Sequence, residues 1–362
     1  MVNHMPGNLV SFGTLKNFAF ADATEAFVLL AGYAAAFAYA GQADRRGVAF
    51  ASAAVLRRIG VLYVAHIFLL VLFTAQVGVS ARALDRSFYL DELALDPFAE
   101  DPYRTLSEAL VLRFQPHFLD ILPLYIVLLA LLLPMLALRR HGWLLLGASF
   151  LIWFWARWED VNFPRLGSEG WFFNPLGWQF IFVIGFLVGQ AVRGKKGPKL
   201  PPRSIWLTAL AVLITGSGFV WQLSWQLRPE WGDNVSGLLA EALVHVDKTA
   251  LHPARLIGIL AMAYLVGHFV PRDWKPLSGP WLRPFLRMGQ HSLPVFCAGI
   301  LLSFLGRLLL EASDGWPMQL LVNVAGFVLL VLMAEIADWY QAQERAAAAA
   351  RDSALQQPAS VG

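Results

Sequence analysis

Two carboxylates stand where lipid is expected. Residues 18–40 form an apolar run long enough to cross a bilayer, which takes about 20 helical residues at 1.5 Å each. Yet the run contains Asp22 and Glu25. Being three apart, they share one face of a helix. A carboxylate in hydrocarbon costs roughly 2.5–3.5 kcal/mol or more. The pair therefore either lies at a helix end, in the headgroup zone, or faces a polar interior and a basic partner. The basic candidate on the same side is His4, followed by Pro6 and Gly7, which break a helix and could place the imidazole at a cavity mouth.

Further polar groups interrupt later apolar stretches. His117 and Asp120 open one of them at i and i+3, just after Arg113 and Gln115. They either bind hydroxyl groups or cap and anchor a helix. Asn174 and Gln179 flank Pro175; such amides hold a sugar or a carbonyl, and Asn174 serves equally as a helix cap. Asp247 and Lys248 are adjacent, either a solvated surface pair or a contact for an anion. Arg255 and Arg307 lie within apolar runs, as snorkelling residues or as partners of buried acids. Arg287 and His291 are either an anion site or a cluster of interfacial charge. Cys297, the single cysteine, reads as core packing and excludes an internal disulfide framework.

These residues need elements to hold them. The 362 residues are 57% hydrophobic and 15% charged, where a soluble domain carries about 25% charged. That deficit, with 14 Trp and 26 Phe, predicts an all-α, polytopic transmembrane helical bundle. Apolar runs cover residues 18–40, 55–80, 118–138, 143–158, 175–192, 205–225, 251–270, 292–310 and 316–340, about nine complete spans. Only helices or closed barrels satisfy their backbone in lipid, and these runs are too long and too poor in alternation for barrel strands. Residues 1–340 read as one integral membrane domain and 341–362 as a frayed cytoplasmic tail. No Cys/His cluster has zinc-ligand spacing, so no metal is expected, and the net charge of +3 calls for no nucleic-acid partner. Nothing in the pattern specifies an oligomer.

Loop charge orients the bundle. Links rich in basic residues (Arg45, Arg46, Arg57 and Arg58; Arg139 and Arg140; Arg193, Lys195, Lys196 and Lys199; Arg272 to Arg287) alternate with links that are not. The positive-inside rule makes the basic links cytoplasmic. His4 then lies outside, and an earlier span is expected ahead of it: either the start is placed too late or the chain lacks its first helix.

Six phrases in order resemble the OpgC-type membrane proteins, bacterial relatives of the acyltransferase-3 superfamily. They are residues 4–8 (His-Met-Pro-Gly-Asn), 18–25, 119–126, 173–179, 247–249 and 289–296. The resemblance implies a ten-helix protein of the bacterial inner membrane, with its C-terminus cytoplasmic and an Arg-containing helix preceding the His4 phrase. It implies an O-acyltransferase that moves succinyl groups from cytoplasmic succinyl-CoA, a substrate rather than a resident cofactor, to hydroxyls of periplasmic glucans.

On that reading His4 is the general base, and Asp22 or Glu25 orients its ring and stabilises the imidazolium. His117, Asp120, Asn174, Gln179 and Lys248 contact the glucan or the succinyl carboxylate, and Arg287 with His291 meets the CoA phosphates. Two rivals come from other classes: a proton-coupled carrier or flippase using Asp22, Glu25 and Arg255, and a non-catalytic partner of a glucan synthase.

Overall fold

A computed structural model describes residues 2–14, 20–194, 197–227, 246–271 and 273–356. Lys195, Lys196 and most of the 226–250 link lie outside the described residues. Among those described no strand forms, and each of the nine apolar runs holds a helix. In chain order the helices are α1 (Ala23–Arg46), α2 (Val48–Ala83), α3 (Phe88–Glu92), α4 (Asp96–Glu100), α5 (Pro102–Leu110), α6 (Ile121–Leu138) and α7 (Gly142–Trp158). After them come α8 (Pro175–Val192), α9 (Ile205–Leu227), α10 (Pro253–Phe269), α11 (Arg283–Gln290), α12 (Ser292–Ala312) and α13 (Trp316–Gln356).

Six of these, α1, α2, α6, α8, α12 and α13, are long and apolar enough to cross a membrane. Among the described residues, length and composition support six of the nine expected spans. Helices α7 and α10 have 17 residues each, about 26 Å of rise against a hydrocarbon core of about 30 Å. In α9 the apolar stretch is Ile205–Trp221. Beyond Tyr340, α13 continues as helix to Gln356.

The chain divides into two compact units, Met1–Ser11 with Arg272–Gly362, and Phe12–Pro271. The larger unit is organised by the crossing of α1 and α8. A Cβ at Gly32 would collide with the Phe182 carbonyl oxygen, and one at Gly185 with that of Leu29. Lipid supplies no hydrophobic drive between helices, so small residues that let backbones approach closely are what hold them together. The links at residues 84–120, 159–174 and 246–252 are joined by Leu166 N–H to Arg113 O (2.8 Å) and Asn174 N–H to Thr249 O (2.9 Å), and His117 N–H to Leu93 O (3.1 Å) closes the first link on itself.

The buried face of α2 carries Val55, Leu62, His66, Leu69 and Phe73. His66 is fully buried, and neither ring nitrogen has a hydrogen-bond partner among the described residues. An unsatisfied buried polar group costs about 1–3 kcal/mol. His66→Leu is expected to raise the thermal midpoint of the purified protein in detergent; a lower midpoint would mean that the imidazole has a stabilising partner.

In the smaller unit, the short turn Val2–His4 packs on α12, and Val2 joins Met318 of α13 around Met5. Met5 is buried with Leu310 and Val322 and fills the space a side chain at Gly306 would need. Asn8 and Asn323 exchange side-chain hydrogen bonds at 3.0 and 3.1 Å. Gln319 donates to Gly7 O (2.8 Å) and accepts from Leu9 N–H (3.2 Å). The residues on either side of Pro6 are thus clamped, which fixes the backbone that carries His4.

Candidate functional site

Asp22 is the N-cap of α1. Its Oδ1 accepts from Thr24 N–H at 2.7 Å, and Glu25 Oε2 accepts from Asp22 N–H at 2.8 Å, a reciprocal capping box. Of the two readings open for this pair, the helix end is therefore one part. The basic partner is the other, and it comes from far along the chain. Lys248 Nζ reaches Asp22 Oδ2 at 2.6 Å. Arg255 places Nε on Glu25 Oε1 at 2.7 Å and Nη2 on Asp22 Oδ2 at 3.3 Å. Glu25 is completely buried. Two acids and two cations balance, the condition under which charge survives in a low-dielectric interior. Arg255 is thus the partner of an acid. Burial alone would raise the pKa of Asp22, but the charge and hydrogen bond of Lys248, the Thr24 N–H and the charge of Arg255 outweigh it, holding the carboxyl well below the usual range.

The cations are placed by a turn that α7 and α8 grip from below. Asp247 accepts from Thr249 N–H (2.8 Å) and Ala250 N–H (2.9 Å), so its carboxylate shapes the turn. Trp178 Nε1 donates to the Lys248 and Thr249 carbonyls, both at 3.0 Å. Trp153 Nε1 reaches Leu251 O (3.1 Å) and Arg157 reaches Ala250 O (3.3 Å). Gly177 gives the turn room, since a Cβ there would stand 2.8 Å from Ala250 O. His252 then caps α10, which brings Arg255 round in its first turn. The Lys248 ammonium also lies 5.4 Å from the Phe173 ring centroid, in cation–π range.

The remaining candidates separate. His117 and Asp120 do not share a helix face, because Phe118 takes φ 74° and the helix begins only at Ile121. His117 is exposed, while Asp120 is buried just ahead of α6. The His117 side chain is nonetheless partly desolvated by its surroundings, which, with the charge of Arg165, lowers its pKa. Asn174 caps α8 by accepting from Leu176 N–H (3.0 Å) and donates to Val161 O (2.7 Å). Gln179 is committed to Ser149, accepting from its hydroxyl at 2.5 Å and donating to its carbonyl at 2.8 Å. Both amides are structural pins. In the smaller unit Arg287 pairs with Glu335, and His291 stands 3.3 Å from Asp338, so acids of α13 face both groups. His4 also belongs to the smaller unit.

Sequence reasoning passed over Arg165. It donates to Gln115 O at 2.7 Å and is near enough to Asp120 for the two charges to interact. It stands in a loop between two weak turn signals, and no spacing tied it to a carboxylate 45 residues earlier.

Burial pushes the Asp120 carboxyl up to about 6, against the opposing pull of backbone N–H groups, Arg165 and Lys248. In the unfolded chain it ionises near 3.8. Between these values the folded state holds a proton that the unfolded state has lost, so this group's contribution to stability falls as pH rises through that window. Asp120→Asn, neutral throughout, is expected to melt above the parent at pH values over about 6 and to match it near pH 4. Identical melting curves at neutral pH would mean that the carboxylate is as well solvated in the fold as outside it.

No curated protein matches this chain, and no solved structure does. A family model described as OpgC protein matches residues 1–342. From the His4 turn through the Asp22–Lys248–Glu25–Arg255 cluster to most of α13, the chain belongs to the OpgC protein family.

Proposed function

We propose that this protein is an inner-membrane O-acyltransferase that moves succinyl groups from cytoplasmic succinyl-CoA to hydroxyls of periplasmic glucans, with its C-terminus cytoplasmic. The family match carries this reading, and the buried charge cluster of the larger unit supports a polar site at one end of an otherwise apolar bundle. Transfer requires a base for the sugar hydroxyl, and His4 is assigned that role. The alkoxide attacks the thioester carbonyl, the C–S bond breaks, and the departing thiolate takes a proton. Lys248, poised on Asp22 and a quarter exposed in its side chain, suits the succinyl carboxylate. Asp120 and Arg165 lie beside it as hydrogen-bonding groups for sugar.

The test is mass spectrometry of periplasmic glucans from cells with the gene deleted and then restored. Succinyl mass increments should vanish on deletion and return on restoration. Unaltered glucans in the deleted strain would overturn the assignment.

A further inference from the structure

We infer a phosphate-binding site at the opposite, basic end of the larger unit, in a cavity of about 480 Å³ lined by Tyr39, Phe50, Ala53, Ala54, Arg57, Arg58 and Val61. The inference stands on the cavity and not on the proposed transferase activity, although coenzyme A bound there would share the donor's phosphate chemistry. Its first support is charge. At this end Asp44 is engaged through both oxygens, by Arg139 at 3.0 Å and Arg193 at 2.9 Å. No acid of the described residues forms an ion pair with Arg57 or Arg58. Two adjacent guanidinium groups without a carboxylate, opening on one cavity, form a donor set that matches the geometry of phosphate oxygens.

The second support is the wall that faces them. Residues Ala36–Ala40 form a π-helical turn within α1, a rare distortion that recurs at functional sites. Tyr39 lies in that turn and lines the cavity, and Arg58 is close enough to act on the hydroxyls of both Tyr39 and Tyr125. Phe50 and the alanines supply an apolar side. The volume falls in the range of small-molecule sites, roughly 300–1,000 Å³. The ligand is therefore a phosphate ester with an apolar part.

Such a ligand comes either from the bilayer or from solution, and the purified full chain distinguishes the two. One arm embeds it in phosphatidylcholine nanodiscs and titrates coenzyme A calorimetrically. The other incorporates phosphatidylglycerol and reads retained lipid by native mass spectrometry. At least one probe is expected to bind. Arg57→Gln with Arg58→Gln should weaken that probe by about tenfold or more, as expected for the loss of charge-assisted hydrogen bonds. Arg140→Gln, which removes an exposed charge from the same end, should leave it within about twofold. Coenzyme A binding that responds to the double variant assigns a soluble ester, and lipid retention that responds assigns a phospholipid. Binding indifferent to the double variant, equal loss in Arg140→Gln, or no binding of either probe overturns the inference.

Discussion

His4→Ala is expected to lower succinylation of periplasmic glucans by roughly 10²–10⁴-fold, the span that a positioned general base contributes. The backbone on either side of His4 has anchors of its own. Met5 remains packed with Leu310 and Val322, and Asn8 remains paired with Asn323. The variant should therefore insert and melt like the parent while acyl content, read by glucan mass spectrometry, collapses. Asn8→Ala makes the complementary case: it leaves the ring but loosens its support, and a smaller loss of transfer is expected together with a lower melting midpoint. Full acyl transfer by a membrane-inserted His4→Ala protein would remove the base assignment and leave the transferase reading with another base.

The second large effect concerns stability. Arg255→Ala strips Glu25 of its guanidinium and leaves a wholly buried carboxylate. Removing one partner of a buried pair costs about 3–5 kcal/mol, enough to unfold a marginal protein. Combining Glu25→Gln with Arg255→Met should restore more than half of that. The glutamine oxygen can still accept from Asp22 N–H, and no bare charge remains. Melting of Glu25→Gln, Arg255→Met and the double completes a cycle that isolates the coupling. An Arg255→Ala protein within about 1 kcal/mol of the parent would show that water reaches Glu25.

Much of the scaffold was legible in the pattern of apolar runs, each of which holds a helix, and in Asn174 before Pro175, a cap written in adjacent letters. Span count was less legible. The aromatic run at 143–158 looks like a crossing, but as a helix it has only 17 residues. The local rule failed at His117 and Asp120, because i, i+3 proximity presumes a helix and Phe118 turns the chain into the left-handed region. The partners of Asp22 and Glu25 were beyond local spacing altogether, 226 to 233 residues away. Gln179 shows the same limit: a polar residue in an apolar run suggested a ligand, and the spacing gave no sign of its hydrogen bonds to Ser149 on the neighbouring helix.

The distance between Glu25 and Arg255 also has a consequence for biogenesis. Ribosomes add about 5–20 residues per second, so the 230 residues that separate the two take roughly 10 to 50 s to synthesise. For that interval α1 carries a carboxylate whose guanidinium has not been made. Gly185, against which α1 packs, appears about 150 residues after Gly32. The nascent α1 must therefore be sheltered at the insertion machinery, or held protonated, until the second half of the chain arrives. Slowing translation after α1 should then expose the unfinished protein to membrane proteases more than slowing it after α10.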